Sequence, residues 1–198
     1  MSKESKKELI KKKSYELFLS GNFQFASVNE IVKACEVAKG TYYNYYQSKD
    51  EVYLDILQDH LKKWFDQTLI KISKEFSKEN IVPLLIEGLF DDEIFLHLLS
   101  KTQLTEGENI EKQKLIDFKK DFFSMVDVLS AVLSLKLKIE KKETFHLFMQ
   151  TYSLIIGTWH TSKVPYTLKS DASNITPLYL NFKEDLTHMT LKIWQNNS

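Results

Sequence analysis

The sequence predicts an all-α protein, and two observations carry this prediction. Apolar residues make up 43% of the 198 residues and aromatic residues 13%, while the chain has only five glycines and three prolines. Such a chain has ample surface to bury and few residues that interrupt helices. In addition, apolar residues recur at intervals of three and four positions along most of the chain, which is the period of an amphipathic helix. The length suffices for one large core, or for a small module joined to a larger one.

The first helix is predicted from Ser5 to about Ser20, over SKKELIKKKSYELFLS. Ser5 and Glu8 have the spacing of a capping box, in which each side chain bonds the backbone N–H of the other residue. Four apolar residues share one side at helical spacing: Leu9, Ile10, Leu17 and Phe18. Gly21 and Asn22 tolerate a left-handed backbone, so we expect the helix to end there.

Two more short helices are predicted next, with a tight turn between them. Ser27 and Glu30 form a second capping-box pattern, which opens a helix with apolar residues at i, i+3, i+4 and i+7. These apolar residues are Val28, Ile31, Val32 and Cys35. The third helix is predicted from Lys39 to about Gln47, because the segment 48–51 is another capping-box pattern. The chain therefore starts with a module of three short helices.

A long helix is predicted from Ser48 to about residue 76, where apolar residues recur almost without interruption. At 1.5 Å per residue it would span about 40 Å, so we expect it to connect the small module to the rest of the chain. Further helices are predicted over residues 81–89, 92–103, 109–136, 142–162 and 176–195. Pro83, Asp91-Asp92 and Gly107 mark breaks, and Thr176-Pro177 gives the last helix a capping residue followed by proline.

The charges cancel overall but are unevenly distributed. The 27 basic residues are all lysine, and 27 acidic residues bring the net charge to zero. Residues 1–49 hold nine lysines against five acidic residues, a net charge of +4, and the remainder of the chain carries −4. Lysine lacks the planar fork with which arginine binds phosphate or guanine through two parallel hydrogen bonds. The basic end of the chain thus favours an anionic partner that is bound through lysine.

The sequence indicates a cytoplasmic protein with no membrane partner. Cys35 is the only cysteine, so no internal disulfide can form, and the first thirty residues have no apolar stretch of signal-peptide length. The most apolar runs, residues 81–90 and 152–159, are far shorter than the roughly 20 residues needed to cross a bilayer. On the apolar face of its short helix, Cys35 is expected to be buried filler rather than a redox sensor.

The segment KGTYYNYYQSKDE, residues 39–51, holds four of the nine tyrosines within five positions. At 100° per residue Tyr42 and Tyr46 share one helical face, while Thr41, Tyr43 and Asn44 point elsewhere. We expect the first pair to pack inward and the others to meet solvent or DNA, since an exposed tyrosine can donate to phosphate. Two short helices joined by a tight turn in the basic end of a chain form a helix-turn-helix candidate.

The stretch of residues 10–57 resembles the N-terminal DNA-binding domain of TetR-family transcriptional repressors. The resemblance is carried by YELFLSGNF, SVNEIVKACEV and above all KGTYYNYYQSKDEVYLDIL. Four residues depart from the family pattern: Asn22 and Glu36 where glycine is usual, Ala38 where a serine cap is usual, and Tyr42 where an aliphatic core residue is usual. The resemblance implies a helix-turn-helix DNA-binding domain over residues 1–48. A helical effector-binding and dimerisation domain over residues 49–198 would follow, starting with the connector helix from residue 48.

The resemblance also implies roles for individual residues at a double-stranded DNA interface. Positions that hold the phosphate backbone in the family are matched by Ser27, Lys39, Tyr43, Tyr45 and Lys49. Positions that face base edges are matched by Asn29, Thr41 and Asn44. Asparagine can bond adenine through two atoms, and a threonine methyl can contact the thymine methyl. Because the chain has no arginine, we expect an operator half-site that is rich in A·T pairs.

TetR-family proteins are typically homodimers that bind a small effector, and the resemblance implies candidates for both sites. The dimer interface would involve the last two helices, with Ile155, Gly157, Leu178, Phe182, Leu186, Met189 and Ile193. An apolar or planar effector would contact Trp64, Phe95, His97, Phe118, Phe122, Met125, Phe148, Tyr152 and Trp159. Both stripes have helical spacing, so an ordinary intrachain core would produce the same pattern. The effector itself is not identified by the sequence.

Other classes of function have less support in the sequence. Glu143 and His146 form one Glu-x-x-His step, but a di-iron bundle needs a second copy, so we expect no metal site and no cofactor. No Walker loop, nucleophile elbow, His-Glu-x-x-His or dinucleotide-binding glycine motif is present, so no enzymatic activity is expected. The alternative to a ligand-responsive, operator-binding regulator is a helical interaction module that does not read specific DNA. Zero net charge keeps that alternative open.

Overall fold

A computed structural model of the chain describes residues 3–104, 109–164 and 179–195. The helices in these ranges are α1 (Lys3–Ser20), α2 (Val28–Cys35), α3 (Lys39–Tyr43), α4 (Lys49–Glu75), α5 (Ile81–Ile86), α6 (Glu93–Leu104), α7 (Lys112–Leu137), α8 (Lys141–Thr161) and α9 (Phe182–Gln195). A single 3₁₀ turn, Glu87–Leu89, follows α5. No strand occurs in the ranges that the structure describes. The all-α prediction is therefore confirmed.

The chain divides into two compact units, and each unit combines two separate stretches of the sequence. The first unit comprises Met1–Lys63 and His97–Phe122, and the second comprises Trp64–Leu96 and Phe123–Ser198. The borders between them fall inside α4, α6 and α7. A functional domain boundary at residue 48 stays a prediction.

Aromatic side chains form the centre of the first unit. The ring of Phe18 on α1 lies 5.6 Å from the ring of Tyr53 on α4, and 5.7 Å from Phe25 in the α1–α2 connection. The hydroxyl of Tyr53 accepts a hydrogen bond from the backbone N–H of Ala26 at 3.0 Å and donates to the carbonyl of Ser14 at 3.2 Å. Tyr53 therefore ties α4 to α1 and to the segment that leads into α2.

The first helix ends where the sequence predicts but begins earlier. Its last residue is Ser20, and Asn22 and Phe23 then take positive φ values of 52° and 60°. At Gly21 a Cβ would lie 2.9 Å from the carbonyl oxygen of Leu17, so this position requires glycine. Ser5 was predicted to cap the helix, but α1 already starts at Lys3. That cap prediction is wrong, because the lysine-rich start can extend the helix by another turn.

The helix α3 is shorter than predicted. It ends at Tyr43 rather than near Gln47, although Tyr46 still donates its backbone N–H to the carbonyl of Tyr42 at 3.1 Å. The N–H of Gln47 donates instead to the carboxylate of Glu51 at 2.7 Å. The box predicted over residues 48–51 is half formed: Glu51 donates its N–H to Ser48 Oγ at 3.3 Å, while its carboxylate caps Gln47. This competing acceptor is the reason that the helix stops early.

The second unit is built around aromatic residues of α4, α6 and α8. Trp64 lies 6.0 Å from Phe95 and 5.8 Å from Phe148 between ring centroids, and all three side chains are buried. The two last helices pack together through Trp194, whose indole N–H donates to the hydroxyl of Thr151 at 2.9 Å. Phe182 at the start of α9 lies 5.0 Å from Trp159 of α8. These contacts give α8 and α9 a common buried face.

The last helix starts later than the sequence predicts. Residues 179–181 are not helical and α9 begins at Phe182, while the predicted cap at Thr176-Pro177 lies outside the described residues. Asn181 provides the observed cap, since its side-chain oxygen accepts the N–H of Glu184 at 3.2 Å. Asp185 reaches back to the N–H of Asn181 at 2.6 Å. This pair satisfies donors that the first turn would otherwise leave free.

Candidate nucleic-acid interface

The helix α2 is fixed at its start by the predicted capping box. The N–H of Glu30 donates to Ser27 Oγ at 3.3 Å, and the carboxylate of Glu30 accepts the N–H and the hydroxyl of Ser27, each at 2.7 Å. These hydrogen bonds from Ser27 lower the pKa of Glu30. Ile31 and Cys35 are buried on the opposite side of the helix, and Asn29 is exposed. The box therefore uses both donors of Ser27 and leaves the side chain of Asn29 exposed.

The turn between α2 and α3 holds a non-glycine residue in a left-handed conformation. Glu36 has φ 54° and ψ 39°, and the following N–H of Val37 donates to the carbonyl of Val32 at 3.1 Å. A left-handed backbone costs an ordinary L-residue about 1–2 kcal/mol. Ala38 is the N-cap of α3 and gives it no side-chain hydrogen bond. The turn thus has a strained residue at Glu36 and no side-chain cap at Ala38.

The tyrosines of α3 and of the turn that follows it lie on a buried and an exposed side, as the sequence predicts. Tyr42 and Tyr46 are buried, and their hydroxyls donate to the carbonyl of Ser48 at 2.9 Å and to Asp55 Oδ2 at 2.6 Å. Burial raises the pKa of both hydroxyls above the usual range of tyrosine, so neither ionises at physiological pH. Tyr43 is 39% exposed, and Asn44 is exposed beside it. One face of α3 therefore anchors the helix and the other is open.

An ion-pair network below Tyr46 holds α1 against α4. The carboxylate of Asp55 lies 2.9 Å from Lys7 Nζ and 3.4 Å from Lys11 Nζ, and Lys11 also pairs with Asp59. Burial alone would raise the pKa of Asp55, but the hydrogen bonds from Tyr46 and Lys7 and the positive charges of Lys11 and Lys7 outweigh it, and this pKa is lowered. The sequence analysis missed this network. The i, i+4 spacing of two lysines and of two aspartates was the signal that could have found it.

The residues assigned to DNA lie on three consecutive elements of the first unit. Asn29 is on α2, Thr41 and Tyr43 are on α3, and Asn44 and Tyr45 lie in the turn that directly follows α3. Lys39 and Lys49 are the first residues of α3 and α4, and both are exposed. Thr41 and Tyr45 are half-buried. No DNA is present, so the individual roles stay predictions.

Comparison with known proteins agrees with this geometry. The model of bacterial regulatory proteins of the tetR family matches residues 5–56, and the model of the tetracyclin repressor-like C-terminal domain matches residues 57–195. Together the two models cover both the helix-turn-helix and the helices that follow it. The chain belongs to the TetR family. It is a helix-turn-helix transcriptional regulator with an N-terminal DNA-binding part and a C-terminal helical part.

Individual relatives and solved structures are similar to this chain at low sequence identity. The HTH-type transcriptional regulator YuxN of Bacillus subtilis (strain 168) is 29% identical over 106 residues, which are 52% of this chain and 35% of YuxN. The fatty acid degradation regulator FadR of Bacillus halodurans has a similar fold, with a TM-score of 0.58, 16% identity and coverage of 96% of this chain and 93% of FadR. A transcriptional regulator of Rhodococcus sp. Rha1 has a TM-score of 0.58 and 17% identity, and each chain is covered to 96%.

The residues assigned to an effector are shared between the two units of this TetR-family chain. His97, Phe118 and Phe122 belong to the first unit, whereas Trp64, Phe95, Met125, Phe148, Tyr152 and Trp159 belong to the second. In the first unit His97 stacks on Phe23 at 4.1 Å, and Phe118 lines a cavity of about 240 Å³. In the second unit Trp64 and Phe148 pack ring against ring. The effector site stays a prediction.

The residues assigned to the dimer interface differ in exposure. Ile155 and Leu186 are buried within the second unit, and Phe182 packs on Trp159 and Phe90. Gly157 is exposed, and a Cβ added there would meet no atom within 4 Å. Met189 and Ile193 are half-buried, and Leu178 lies outside the described residues. The dimer interface stays a prediction.

The remaining candidates for chemistry are Cys35, the Glu143–His146 step and any cluster of potential metal ligands. Cys35 is buried, as predicted, and burial raises the pKa of its thiol, which lies 3.9 Å from the carbonyl of Leu9. That it is filler rather than a redox sensor stays a prediction. Glu143 and His146 are both exposed on α8. Within the ranges described above, no three histidine, cysteine, aspartate or glutamate residues come together as potential metal ligands. None of the described helices is long and apolar enough to span a membrane.

Proposed function

We propose that this TetR-family regulator is a repressor that binds a palindromic operator as a homodimer and leaves it when a small effector binds. The observation that carries the proposal is that α3 and the turn that directly follows it have one buried and one exposed side. Tyr42 and Tyr46 are buried and hydrogen-bonded, which fixes the helix on its own module. Tyr43 and Asn44, on the other side, are exposed. A short helix with an anchored inner face and a free polar outer face suits insertion into the major groove.

The proposed contacts separate positioning on the phosphate backbone from the reading of bases. Lys39, Lys49, Tyr43, Tyr45 and Ser27 would contact phosphates, which fixes the register of the protein but carries little sequence information. Asn29, Thr41 and Asn44 would meet base edges, and their side chains favour adenine and the thymine methyl group. The absence of arginine removes the commonest contact to guanine. The operator half-site is therefore A·T-rich at its contacted positions.

The effector is an apolar or planar molecule in this proposal. The residues assigned to it are aromatic or polarisable, and such side chains bind apolar surface and flat rings through dispersion and stacking. Its binding would separate the two DNA-reading modules of the dimer and release the operator. The ring contacts among Trp64, Phe95 and Phe148 in the second unit support the chemistry of such a site.

The experiment that tests the function is selection of bound fragments from a random duplex library by the purified protein at two salt concentrations. We expect a palindrome with A·T-rich half-sites, bound more tightly at the lower salt concentration. A guanine-centred site would contradict the proposed readout. No enriched sequence at either salt concentration would contradict the proposed function and favour a helical interaction module. The protein–DNA complex in solution should contain two copies of the chain.

A further inference from the structure

The end of α3 is held by a segment that lies about sixty residues later in the chain. Lys114 Nζ, at the start of α7, donates to the carbonyl of Tyr45 at 3.1 Å and pairs with the carboxylate of Glu51. The same carboxylate accepts the N–H of Gln47 at 2.7 Å and the N–H of Glu111 at 3.1 Å. All five residues belong to the first unit. We call this set the Lys114–Glu51 clamp.

The clamp is a closed arrangement around a buried charge. The side chain of Glu51 has no solvent exposure, and a buried carboxylate is tolerated only with a charge partner and several donors. Burial alone would raise the pKa of Glu51, but the ammonium of Lys114 and the N–H groups of Gln47 and Glu111 more than offset it, and the pKa is lowered. Lys114 Nζ also lies 5.3 Å from the centre of the Tyr46 ring. Lys114 therefore bonds the carbonyl of Tyr45 and the carboxylate of Glu51, and it lies beside the ring of Tyr46. These groups hold the end of the DNA-reading element.

The helix α3 needs such an external support. With five residues it is far shorter than a helix that is stable alone, so its orientation depends on the contacts at its two ends. Its start has no side-chain cap, because Ala38 stands there. Its end carries Asn44 and Tyr45, which are assigned to a base edge and to a phosphate. The clamp thus adds to the hydroxyl bonds of Tyr42 and Tyr46 a polar support at the end of α3, where two of the proposed contacts lie.

We propose that Lys114 is a positioning residue for operator recognition. It does not touch DNA in this proposal; it fixes the turn of residues 44–47 through the carbonyl of Tyr45 and through Glu51. Contacts to base edges depend on accurate geometry, whereas contacts of flexible lysines to phosphates tolerate displacement. Loss of Lys114 therefore lowers the affinity for the operator more than the affinity for unrelated DNA. The inference rests on the proposed function, because it requires an operator.

The test compares Lys114→Met with the control Lys120→Met, which removes the same charge from an exposed position of α7. Dissociation constants are measured for the selected operator and for a duplex of scrambled sequence, with each protein corrected for its active fraction. We expect Lys114→Met to reduce the ratio of operator to scrambled affinity by about tenfold, the loss typical of one good base contact. The control should weaken both duplexes alike and keep the wild-type ratio. An unchanged ratio for Lys114→Met would overturn the proposal.

A second variant separates positioning from stability. Glu51→Gln combined with Lys114→Met removes both charges of the pair, so no buried carboxylate is left without a partner. We expect this double variant to regain thermal stability relative to Lys114→Met but not its operator preference, because α7 still lacks a donor to Tyr45. Recovery of both properties would show that Lys114 acts only through stability, and would overturn the proposal. If the wild-type protein selects no sequence, the proposed function fails and this inference falls with it; if it does, the inference can fail alone.

Discussion

Among single residues, Glu36 has a backbone cost that glycine would remove. Its left-handed conformation, with φ 54°, is one that glycine adopts freely. We predict that Glu36→Gly raises the free energy of unfolding by about 0.5–1 kcal/mol, which is the relieved strain less the greater freedom of glycine in the unfolded chain. Urea unfolding followed by circular dichroism measures this change. Glu36→Ala is the control, since it removes the carboxylate but keeps the strain and should give no gain. An equal gain in both variants would assign the effect to the charge.

The carboxyl of Glu51 makes stability depend on pH. Its folded pKa lies below the ordinary value, so its stabilising contribution is present above the unfolded pKa and is lost as the pH falls through the folded pKa. We predict that wild type loses stability more steeply than Glu51→Gln as the pH falls below about 5, since glutamate titrates near 4.3 in the unfolded chain. At neutral pH the variant should be the less stable protein. Thermal melts over this range measure both curves; parallel curves would mean that other carboxyls account for the whole pH dependence.

Some contacts of single residues follow from the local sequence, and others do not. The inward Tyr42 and Tyr46 and the capping box of Ser27 follow from spacings of three and four positions, which geometry converts directly into faces and caps. The pairing of Glu51 with Lys114 spans 63 positions, and no local period connects them. Glu51 was identified as part of a cap, but its charge partner required the fold. The end of α3 was misplaced for the same reason.

At the scale of elements, one indole group joins the last two helices. Trp194 is 1% exposed, and its N–H donates to Thr151 on α8, whose hydroxyl in turn donates to the carbonyl of Leu147 at 2.9 Å. We predict that Trp194→Ala lowers the free energy of unfolding by about 3–5 kcal/mol, because it leaves a large cavity. Trp194→Phe keeps most of the volume and should cost much less. Chemical denaturation of both variants checks the order; similar losses would show that the hydrogen bond outweighs the packing.

The starts of the helices show why the sequence predicts the existence of a helix better than its first residue. The sequence predicts a cap at Thr176, because a proline follows it. The described residues place the cap at Asn181, where Asp185 adds a second hydrogen bond. In α1 the opposite occurs, since Ser5 is a good cap but the helix starts before it. Local propensity identifies possible caps, and tertiary packing selects among them.

At the scale of the whole molecule, the zero net charge limits how much electrostatic attraction can contribute when this regulator binds DNA. The chain is neutral, and the positive excess of +4 is confined to residues 1–49. Of the residues assigned to phosphates, only Lys39 and Lys49 are cations, so a dimer would neutralise about four phosphates. Each neutralised phosphate releases counterions and contributes about −0.9 to the slope of log affinity against log salt. We predict a slope of about −3.6, shallower than that of strongly basic DNA-binding proteins.

Single substitutions test that the slope arises from these lysines. Lys39→Ala removes one phosphate contact from each copy, so the slope of the dimer should change from about −3.6 to about −1.8. The control Lys142→Ala removes an exposed lysine of α8, which is outside the assigned set, and should leave the slope unchanged. Titrations of the selected operator at several salt concentrations give both values. Equal slopes for wild type and Lys39→Ala would mean that other lysines of the basic segment contact the phosphates. In that case the assignment of Lys39 would fail. The exposed side of α3 would still account for sequence preference, because base contacts release no counterions.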